Sequence, residues 1–147
     1  HRGSANFSVW SLDADFETID LLVNTIGEYG GVRPVQFDGQ GVSGFEITAD
    51  GEWVYIVAPL SEVIEDQCPT SGEGDFVIAI QDFISSGGTA DLTFDADTNF
   101  SIWSWGTDDR DLIVNEIGPY EGTVRVSSGL FVWDITGNGG NWTIDCG

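Results

Sequence analysis

The sequence contains no lysine, no methionine and only one histidine, and its apolar stretches are short. Because a membrane-spanning helix needs about 20 consecutive apolar residues, none is predicted. The single histidine is His1, so serine–histidine and cysteine–histidine catalysis lack a base. A glycine-rich phosphate loop would need a lysine, and the sequence has none. These shortages favour a protein without enzymatic activity.

The sequence has few basic residues and many acidic ones. Four arginines stand against 25 acidic residues, which gives a formal net charge of −21. Such a charge repels phosphate backbones and anionic lipid surfaces, so we expect neither nucleic-acid binding nor membrane insertion. The charge has three interpretations: solubility in a salty or extracytoplasmic setting, ligands for a cation, or a surface that attracts a basic protein partner.

Two cysteines, Cys68 and Cys146, stand far apart and form no CxxC pair. With a single histidine, this spacing argues against a zinc site. A Cys68–Cys146 disulfide is the favoured interpretation, and two buried free thiols are the alternative. A disulfide indicates an oxidising compartment, so we predict an extracellular or cell-surface protein. Residues 1–4 are interpreted as a remnant of an expression tag, in place of a removed targeting segment.

The chain contains an internal repeat made of strand-like phrases. NFSVWS at residues 6–11 returns as NFSIWS at residues 99–104. LLVNTIGEYGG at residues 21–31 returns as LIVNEIGPYEG at residues 112–122. A phrase used twice is more typical of architecture than of chemistry. The repeat therefore predicts two related structural halves.

The two copies set the predicted boundaries. They cover residues 6–57 and 99–146, and residues 58–98 are interpreted as the segment that connects them. A chain of this length fits one domain with a single core, which we place at residues 5–147.

The local patterns within each copy predict strands and turns. Apolar and polar residues alternate on both sides of the Asp50-Gly51 pair, which predicts a β-hairpin. The second copy has the same pattern around the glycine-rich residues 137–140. Each copy closes with a tryptophan, Trp53 or Trp142, and both are predicted core residues.

Residues 16–26 fit a helix as well as a strand, because their apolar residues also fall at helical spacing. Branched residues and a Gly-Pro pair in the second copy favour a strand there. Short strands punctuated by turns predict an all-β protein. The expected fold is a β-sandwich of jelly-roll-like topology, in which two pseudo-repeated halves contribute to both sheets.

The phrases LLVNxIGxYxG (residues 21–31) and ITADGxW (residues 47–53) resemble those of secreted or surface-anchored bacterial β-sandwich modules, often actinobacterial and uncharacterised. The resemblance covers most of residues 6–57 and 99–146 and rests on turn and core residues. It implies a β-sandwich and an extracytoplasmic location, and it carries over no catalytic residue.

Tryptophans are the candidate binding residues. Trp10 and Trp103 are equivalent in the two copies and lie out of phase with the apolar residues before them, so they are predicted to face away from the core. Trp105 shares the phase of Trp103, whereas Leu12 stands at its place in the first copy. Burial beneath another layer or domain is the alternative to exposure. The predicted carbohydrate-binding face comprises Trp10, Trp103, Trp105, Tyr29 and Tyr120.

Acidic residues near the first strand of the second copy are the candidate metal ligands. Carboxylates clustered at loops are typical of Ca²⁺ sites, and solvated surface acids are the alternative. The spacing matches no known calcium-loop signature. The candidate ligands are Asp95, Asp97, Asp108 and Asp109.

Three hypotheses for the function follow. The first is a non-catalytic extracytoplasmic module that binds carbohydrate or the cell surface, or that acts as a spacer in a larger surface protein. The second is an acidic protein-binding module, an inhibitor or mimic, that recruits a basic partner. The third is a small hydrolase, which would need two carboxylates that converge in a cleft.

Overall fold

A computed structural model describes residues 1–35, 41–107 and 109–147, and within them the chain forms twelve strands and two short 3₁₀ helices. The prediction of an all-β protein is confirmed. The chain divides into two compact units, His1–Ala58 and Pro59–Gly147, whereas the sequence predicted a single domain. Each unit is described by itself below.

The first unit is built on one three-stranded antiparallel sheet. Its strands are β1 (Asn6–Leu12), β2 (Thr18–Ile26) and β3 (Gly44–Thr48), in the order β2-β1-β3. The central strand β1 places Val9 opposite Val23 on one side and opposite Ile47 on the other. Because β-branched residues pack well against cross-strand neighbours, this row stabilises the sheet. The buried cluster of the unit consists of Phe7, Val9 and Leu22.

The first residues of the chain pack onto this unit. The ring of His1 stacks on the ring of Phe7, with centroids 4.5 Å apart and planes at 5°. The backbone nitrogen of His1 donates to the carbonyl oxygen of Tyr29 at 2.8 Å, and its Nε2 lies 3.2 Å from Oδ1 of Asp50. The Ser4 amide donates to the Asp50 carboxylate and holds the pKa of that carboxyl below its usual value. The interpretation of residues 1–4 as a tag remnant stays a prediction.

The second unit is a sandwich of two sheets. The five-stranded sheet has the order β4-β6-β11-β8-β9 and the four-stranded sheet the order β10-β7-β12-β5. The strands of the first are β4 (Ile64–Asp66), β6 (Phe76–Ile80), β8 (Asn99–Trp105), β9 (Arg110–Ile117) and β11 (Val132–Thr136). Those of the second are β5 (Thr70–Glu73), β7 (Gly88–Phe94), β10 (Tyr120–Val126) and β12 (Asn141–Cys146). Two 3₁₀ helices, Leu60–Glu62 and Gln81–Phe83, complete the unit.

Aromatic rings fill the space between these two sheets. Phe94 of the four-stranded sheet stacks on Phe100 of the five-stranded sheet, with ring centroids 4.7 Å apart. Trp142 is buried and donates through Nε1 to the carbonyl oxygen of Gly74 at 3.1 Å. It lies opposite Gly72 on β5, where a Cβ atom would collide with its ring. A core of this kind confirms the β-sandwich prediction for the second unit, while the jelly-roll topology stays a prediction.

The sheet of the first unit and half of the larger sheet share a pairing pattern. In both, the first strand of the repeat lies between the other two, in the orders β2-β1-β3 and β9-β8-β11. The register shifts at equivalent places, after Val9 in one case and after Ile102 in the other, and the first sheet shifts a second time after Ser11. The two equivalent shifts each leave one extra residue on the neighbouring strand, Leu22 or Ile113, which is a β-bulge. Positions in the two units can therefore be compared by register up to the second shift.

Two expectations about topology were wrong. The first copy does not contribute to both sheets of a sandwich, because its strands pair only with one another among the described residues. The segment 58–98 is more than a connection, since it supplies β4, β5, β6 and β7 to the second unit. Residues 58–74 include two short edge strands, β4 and β5, which their mixed composition did not predict. Most residues of these strands are exposed, so they show no clear apolar pattern.

The predicted hairpins were also wrong. The strands β11 and β12 do not pair with each other, because residues 137–140 carry the chain from one sheet of the sandwich to the other. In the first unit, the segment after Asp50-Gly51 forms no strand beyond a single bridge between Arg2 and Glu52. Among the described residues this unit has no second sheet for that segment to join. Trp53 is consequently 48% exposed and is not a core residue.

The predicted cysteine pair lies at disulfide distance, with Cα atoms of Cys68 and Cys146 5.4 Å apart. Cys68 stands between β4 and β5, and Cys146 ends β12, so the bond ties an edge of the second unit to a central strand. The two cysteines are 78 residues apart in the sequence.

Reduction of this disulfide is expected to destabilise the second unit. In the chain-entropy model, opening a loop of this length costs about 4–5 kcal/mol. Differential scanning calorimetry with and without reductant measures the change, and a Cys68→Ala/Cys146→Ala double variant is the control, because reductant should leave its melting temperature unchanged. A wild-type melting temperature that stays the same after verified loss of the disulfide would contradict the prediction.

The two tryptophans that close the copies are expected to differ in their contribution to stability. Trp142→Ala should lower the free energy of unfolding by about 3–5 kcal/mol, because it leaves a cavity between the sheets. Trp53→Ala removes a half-exposed ring and should have a much smaller effect. Urea denaturation followed by far-ultraviolet circular dichroism compares the two variants, and equal losses would show that Trp53 is packed as tightly as Trp142.

Candidate functional site

The strand β8 presents its two faces to different surroundings. Phe100 and Ile102 belong to the buried core between the sheets. Because side chains alternate along a strand, Trp103 and Trp105 point to the opposite, outer face of the five-stranded sheet. The pairing of β8 with β11 runs without a shift from Ser101 to Trp105, so this alternation is maintained.

Cross-strand pairing arranges the outer face in two rows. Residues directly opposite each other on paired strands share a face. The first row contains Val77, Asp134, Trp103 and Leu112, and the second contains Ala79, Val132, Trp105 and Arg110. The β6 and β11 members of both rows are buried. Trp103 and Trp105 are half-buried, and Leu112 and Arg110 on the edge strand β9 are exposed. The outer face is therefore accessible along its β8–β9 margin.

Arg110 and the two tryptophans form one cluster, called here the Trp103–Trp105–Arg110 cluster. The ring centroids of Trp103 and Trp105 are 6.4 Å apart, and the ring planes are tilted by 41°. The guanidinium carbon of Arg110 lies 5.2 Å from the centroid of each ring. An exposed cation–π contact contributes about 0.5–1 kcal/mol. The guanidinium group of Arg110 is consequently held against both aromatic rings.

Sequence reasoning identified the tryptophans and missed the arginine. Trp105 and Arg110 face each other because the bulge after Ile102 shifts β9 by one residue. Without that shift, Asp111 would stand opposite Trp105, and Arg110 would point to the other face of the sheet. The only feature of the sequence that could have pointed to Arg110 is the scarcity of basic residues.

The structure separates the other predicted members of the binding face. Tyr120 lies on β10 of the four-stranded sheet, and its ring packs against Phe100 with centroids 5.9 Å apart. Tyr29 belongs to the first unit, where its ring lies 5.9 Å from that of Phe7. Trp10 also belongs to the first unit and is half-buried on β1. The structure thus brings together Trp103 and Trp105.

The register comparison shows that the cluster is specific to the second unit. Trp10 pairs with Leu21 and Glu46, as Trp103 pairs with Leu112 and Asp134. At the next position on this face, the first unit has Leu12 where the second has Trp105. Leu12 lies opposite Thr18 after a second register shift, whereas Trp105 lies opposite Arg110 without one. The first sheet therefore keeps one tryptophan and lacks both the second ring and the cation.

The structure describes three of the four candidate calcium ligands. Asp108 lies outside the described residues. Asp95, Asp97 and Asp109 are exposed and form no group of three convergent carboxylates. Both oxygens of Asp95 accept hydrogen bonds from Asn141, from its backbone nitrogen at 2.7 Å and its Nδ2 at 2.8 Å. A cation at Asp95 would have to compete with these donors, and the calcium site stays a prediction.

One group of potential metal ligands does converge within the described residues. It consists of Cys68, Asp82 and Cys146, whose ligand atoms lie within 4.8 Å of one another. Both sulfur atoms belong to the disulfide pair, so neither is a thiolate ready to bind a metal ion. Asp82 accepts a hydrogen bond from the backbone nitrogen of Cys68 at 3.1 Å. The group is therefore explained by the disulfide.

No protein-family model, no curated protein and no solved structure matches this chain. The fold and location that the repeat phrases imply by resemblance therefore gain no further support from relatives. Within the described part of the chain, no helix has the length and apolarity needed to cross a bilayer.

The hydrogen bonds from Asn141 hold the pKa of Asp95 below its ordinary value of 3.8. A carboxyl whose pKa is lowered on folding contributes stability above the unfolded-state pKa, and this contribution is lost as the pH falls through the folded-state pKa. Asn141→Ala should raise the pKa of Asp95 toward 3.8, as measured by carbon-detected NMR titration. The Asp66 carboxyl, whose pKa is lowered by Thr70, is the internal control. An unchanged Asp95 midpoint in the variant would contradict this assignment.

Proposed function

We propose that this chain is a non-catalytic β-sandwich module of a secreted or cell-surface protein, and that it binds carbohydrate through Trp103 and Trp105. The observation that carries the proposal is the pair of adjacent, half-buried rings along the accessible margin of the outer face. A flat indole ring matches the apolar C–H face of a sugar ring.

The cluster has the physical properties that such a site requires. The rings belong to a strand paired on both sides, so the backbone that carries them is rigid. Arg110 contacts both rings, which reduces the number of rotamers they can adopt. A rigid platform loses little conformational entropy when a ligand binds. These features favour recognition over a role in packing alone.

Three described carboxyl groups lack the property that an acid catalyst needs. A glycosidase needs a general acid whose pKa is raised so that it stays protonated near neutral pH. The resolved pKa shifts among the described carboxyl groups are downward, at Asp50, Asp66 and Asp95, and hydrogen bonds to the charged form cause each of them. These three groups are therefore held in the charged form, which is the opposite of what an acid catalyst needs.

The proposed location outside the cytoplasm rests on the disulfide pair. Disulfides persist in oxidising compartments and are rare where glutathione keeps thiols reduced. Cys68 and Cys146 lie at disulfide distance. A net charge of −21 keeps such a module soluble.

A second candidate function is recruitment of a basic protein partner. The outer face of the four-stranded sheet is polar, and it exposes Asp91 opposite Asp145 on neighbouring central strands. Glu121 and Glu73 are exposed on the two edge strands of the same sheet. Like charges placed opposite each other disfavour the isolated sheet. A cationic partner would relieve this repulsion.

Ionic strength distinguishes the two functions. Binding steered by charge weakens steeply as salt screens it, whereas stacking on aromatic rings depends little on salt. A complex that survives molar salt therefore supports the tryptophan platform, and a complex that dissociates supports the acidic face.

Carbohydrate binding is expected to disappear when one ring of the platform is removed. Trp105→Leu places in β8 the residue that the first unit has at the corresponding position, so the strand should fold normally. Affinity electrophoresis in gels that contain a panel of soluble polysaccharides should show retardation of the wild-type chain and loss of that retardation in the variant. Trp103→Ala should have the same effect on retention.

The matched control is Trp53→Leu, which removes a half-exposed tryptophan from the other unit. It should retain the mobility shift of the wild type. Circular dichroism spectra and melting temperatures of all variants should overlay those of the wild type. Retention that survives both Trp105→Leu and Trp103→Ala, or no retention of the wild type by any polysaccharide, would exclude this site as the carbohydrate platform.

A further inference from the structure

Arg110 has hydrogen-bond donors that the described protein does not use. No carboxylate oxygen of residues 1–35, 41–107 and 109–147 lies within 4.0 Å of its guanidinium nitrogens. Asp111 follows it in β9, and because neighbouring side chains in a strand alternate, it points to the opposite face. Asp108 lies outside the described residues. Within the described part of the chain, the arginine stacked on two rings has no carboxylate partner, and its exposed guanidinium can reach a ligand.

We propose that this guanidinium binds a carboxylate carried by the ligand, and that the Trp103–Trp105–Arg110 cluster takes an acidic sugar of the uronic-acid class. The inference rests on the proposed function, since it specifies which carbohydrate the tryptophan platform selects. It goes further because stacking on tryptophan alone does not distinguish a neutral sugar from an acidic one.

The chemistry of the two parts is complementary. A guanidinium presents a planar fork of N–H donors that matches the two oxygens of a carboxylate. In a uronic acid the carboxylate extends from the edge of the sugar ring, so one apolar ring face remains free to stack. The guanidinium carbon lies over both rings, 5.2 Å from each centroid, so its N–H fork adjoins the part of the half-buried indole surface that it leaves uncovered. One sugar residue can therefore contact an indole face and the arginine together.

The charge of the whole protein narrows the class of ligand. With a net charge of −21, the chain repels a densely charged polymer over distances of about 10 Å at moderate ionic strength. A direct contact with one carboxylate is short-ranged and is screened much less. The arrangement therefore favours acidic sugars spaced along a neutral chain over homopolymers of uronic acid.

The corresponding face of the first unit provides an internal reference. There Leu12, the counterpart of Trp105, pairs with Thr18 after a second register shift between Ser11 and Leu12, which the second unit does not have. The margin of the first sheet therefore forms without the second ring and without the cation, with a different local pairing. Because threonine is a β-branched residue that strands favour, Arg110→Thr is a conservative test variant for β9.

The experiment uses the full chain and an immobilised panel of matched oligosaccharide pairs, whose members differ only by a carboxylate. Suitable pairs are glucan and glucuronan fragments, galactan and galacturonan fragments, and xylo-oligosaccharides with and without a single glucuronate branch. We expect the wild type to bind the branched acidic xylo-oligosaccharide, or another single-carboxylate member, about tenfold more tightly than its neutral partner. Chemical reduction of the carboxylate to an alcohol should abolish the difference.

Three variants separate the contributions. Arg110→Thr should remove the preference for the acidic member, and the ratio of the two affinities is the readout, because any loss of ring order lowers the affinity for both members equally. Arg110→Lys should restore only part of the preference, because an ammonium group lacks the planar fork. Trp105→Leu should weaken binding to both members, since it removes stacking. Unchanged melting temperatures confirm that each variant is folded.

The other possible outcomes contradict the uronate assignment, the carbohydrate function or the preference for sparse charge. Equal wild-type affinity for both members of every pair, or an equal loss on both in Arg110→Thr, would refute the uronate assignment and leave the carbohydrate function standing. No binding to any member of the panel would overturn both. Tighter binding to the galacturonan fragments than to the oligosaccharides with a single carboxylate would refute the preference for sparse charge.

Discussion

The alternation of side chains along β8 is the constraint on which both the core and the candidate site depend. Ile102 faces the space between the two sheets, and Trp103, one residue later, faces the opposite side. The strand can keep this alternation because the irregularity after Ile102 is taken up by β9, where Ile113 is the extra residue. A slip of one residue would exchange the two sets of side chains and place a polar-tipped ring in the core.

The periodicity of two made the strands and the buried ring of Trp142 predictable, because both depend on local sequence. The partners of those strands were not predictable in the same way. A strand–turn–strand pattern is identical for a hairpin within one sheet and for an arch between two sheets, and residues 137–140 form an arch. The disulfide could be predicted from the count of cysteines alone, since only one pairing of two residues exists.

For a related reason, the sequence predicted the two tryptophans of the candidate site but not their contact with Arg110. The phase of Trp103 and Trp105 follows from β8 itself, whereas their contact with Arg110 depends on the register of another strand. That register includes a bulge, and a bulge changes which residue stands opposite by one position. Tyr120 was assigned to the platform because of its place in the repeat, but its strand joins the other sheet and its ring packs on Phe100.

The two units show how a repeated scaffold can carry a local difference. The pairs of Val9 with Val23 and of Ile102 with Val114 build equivalent rows, so these apolar positions serve the sheets. The two sheets differ at the margin, where Leu12 pairs with Thr18 after a second register shift and Trp105 pairs with Arg110 without one. An arginine is costly to leave unpaired among 25 acidic residues only if it is desolvated, and Arg110 is exposed. The two tryptophan rings restrain the position of its guanidinium group. The repeat therefore accounts for Trp103, whereas Trp105 and Arg110 distinguish the second unit, and the proposed sugar specificity rests on these two residues.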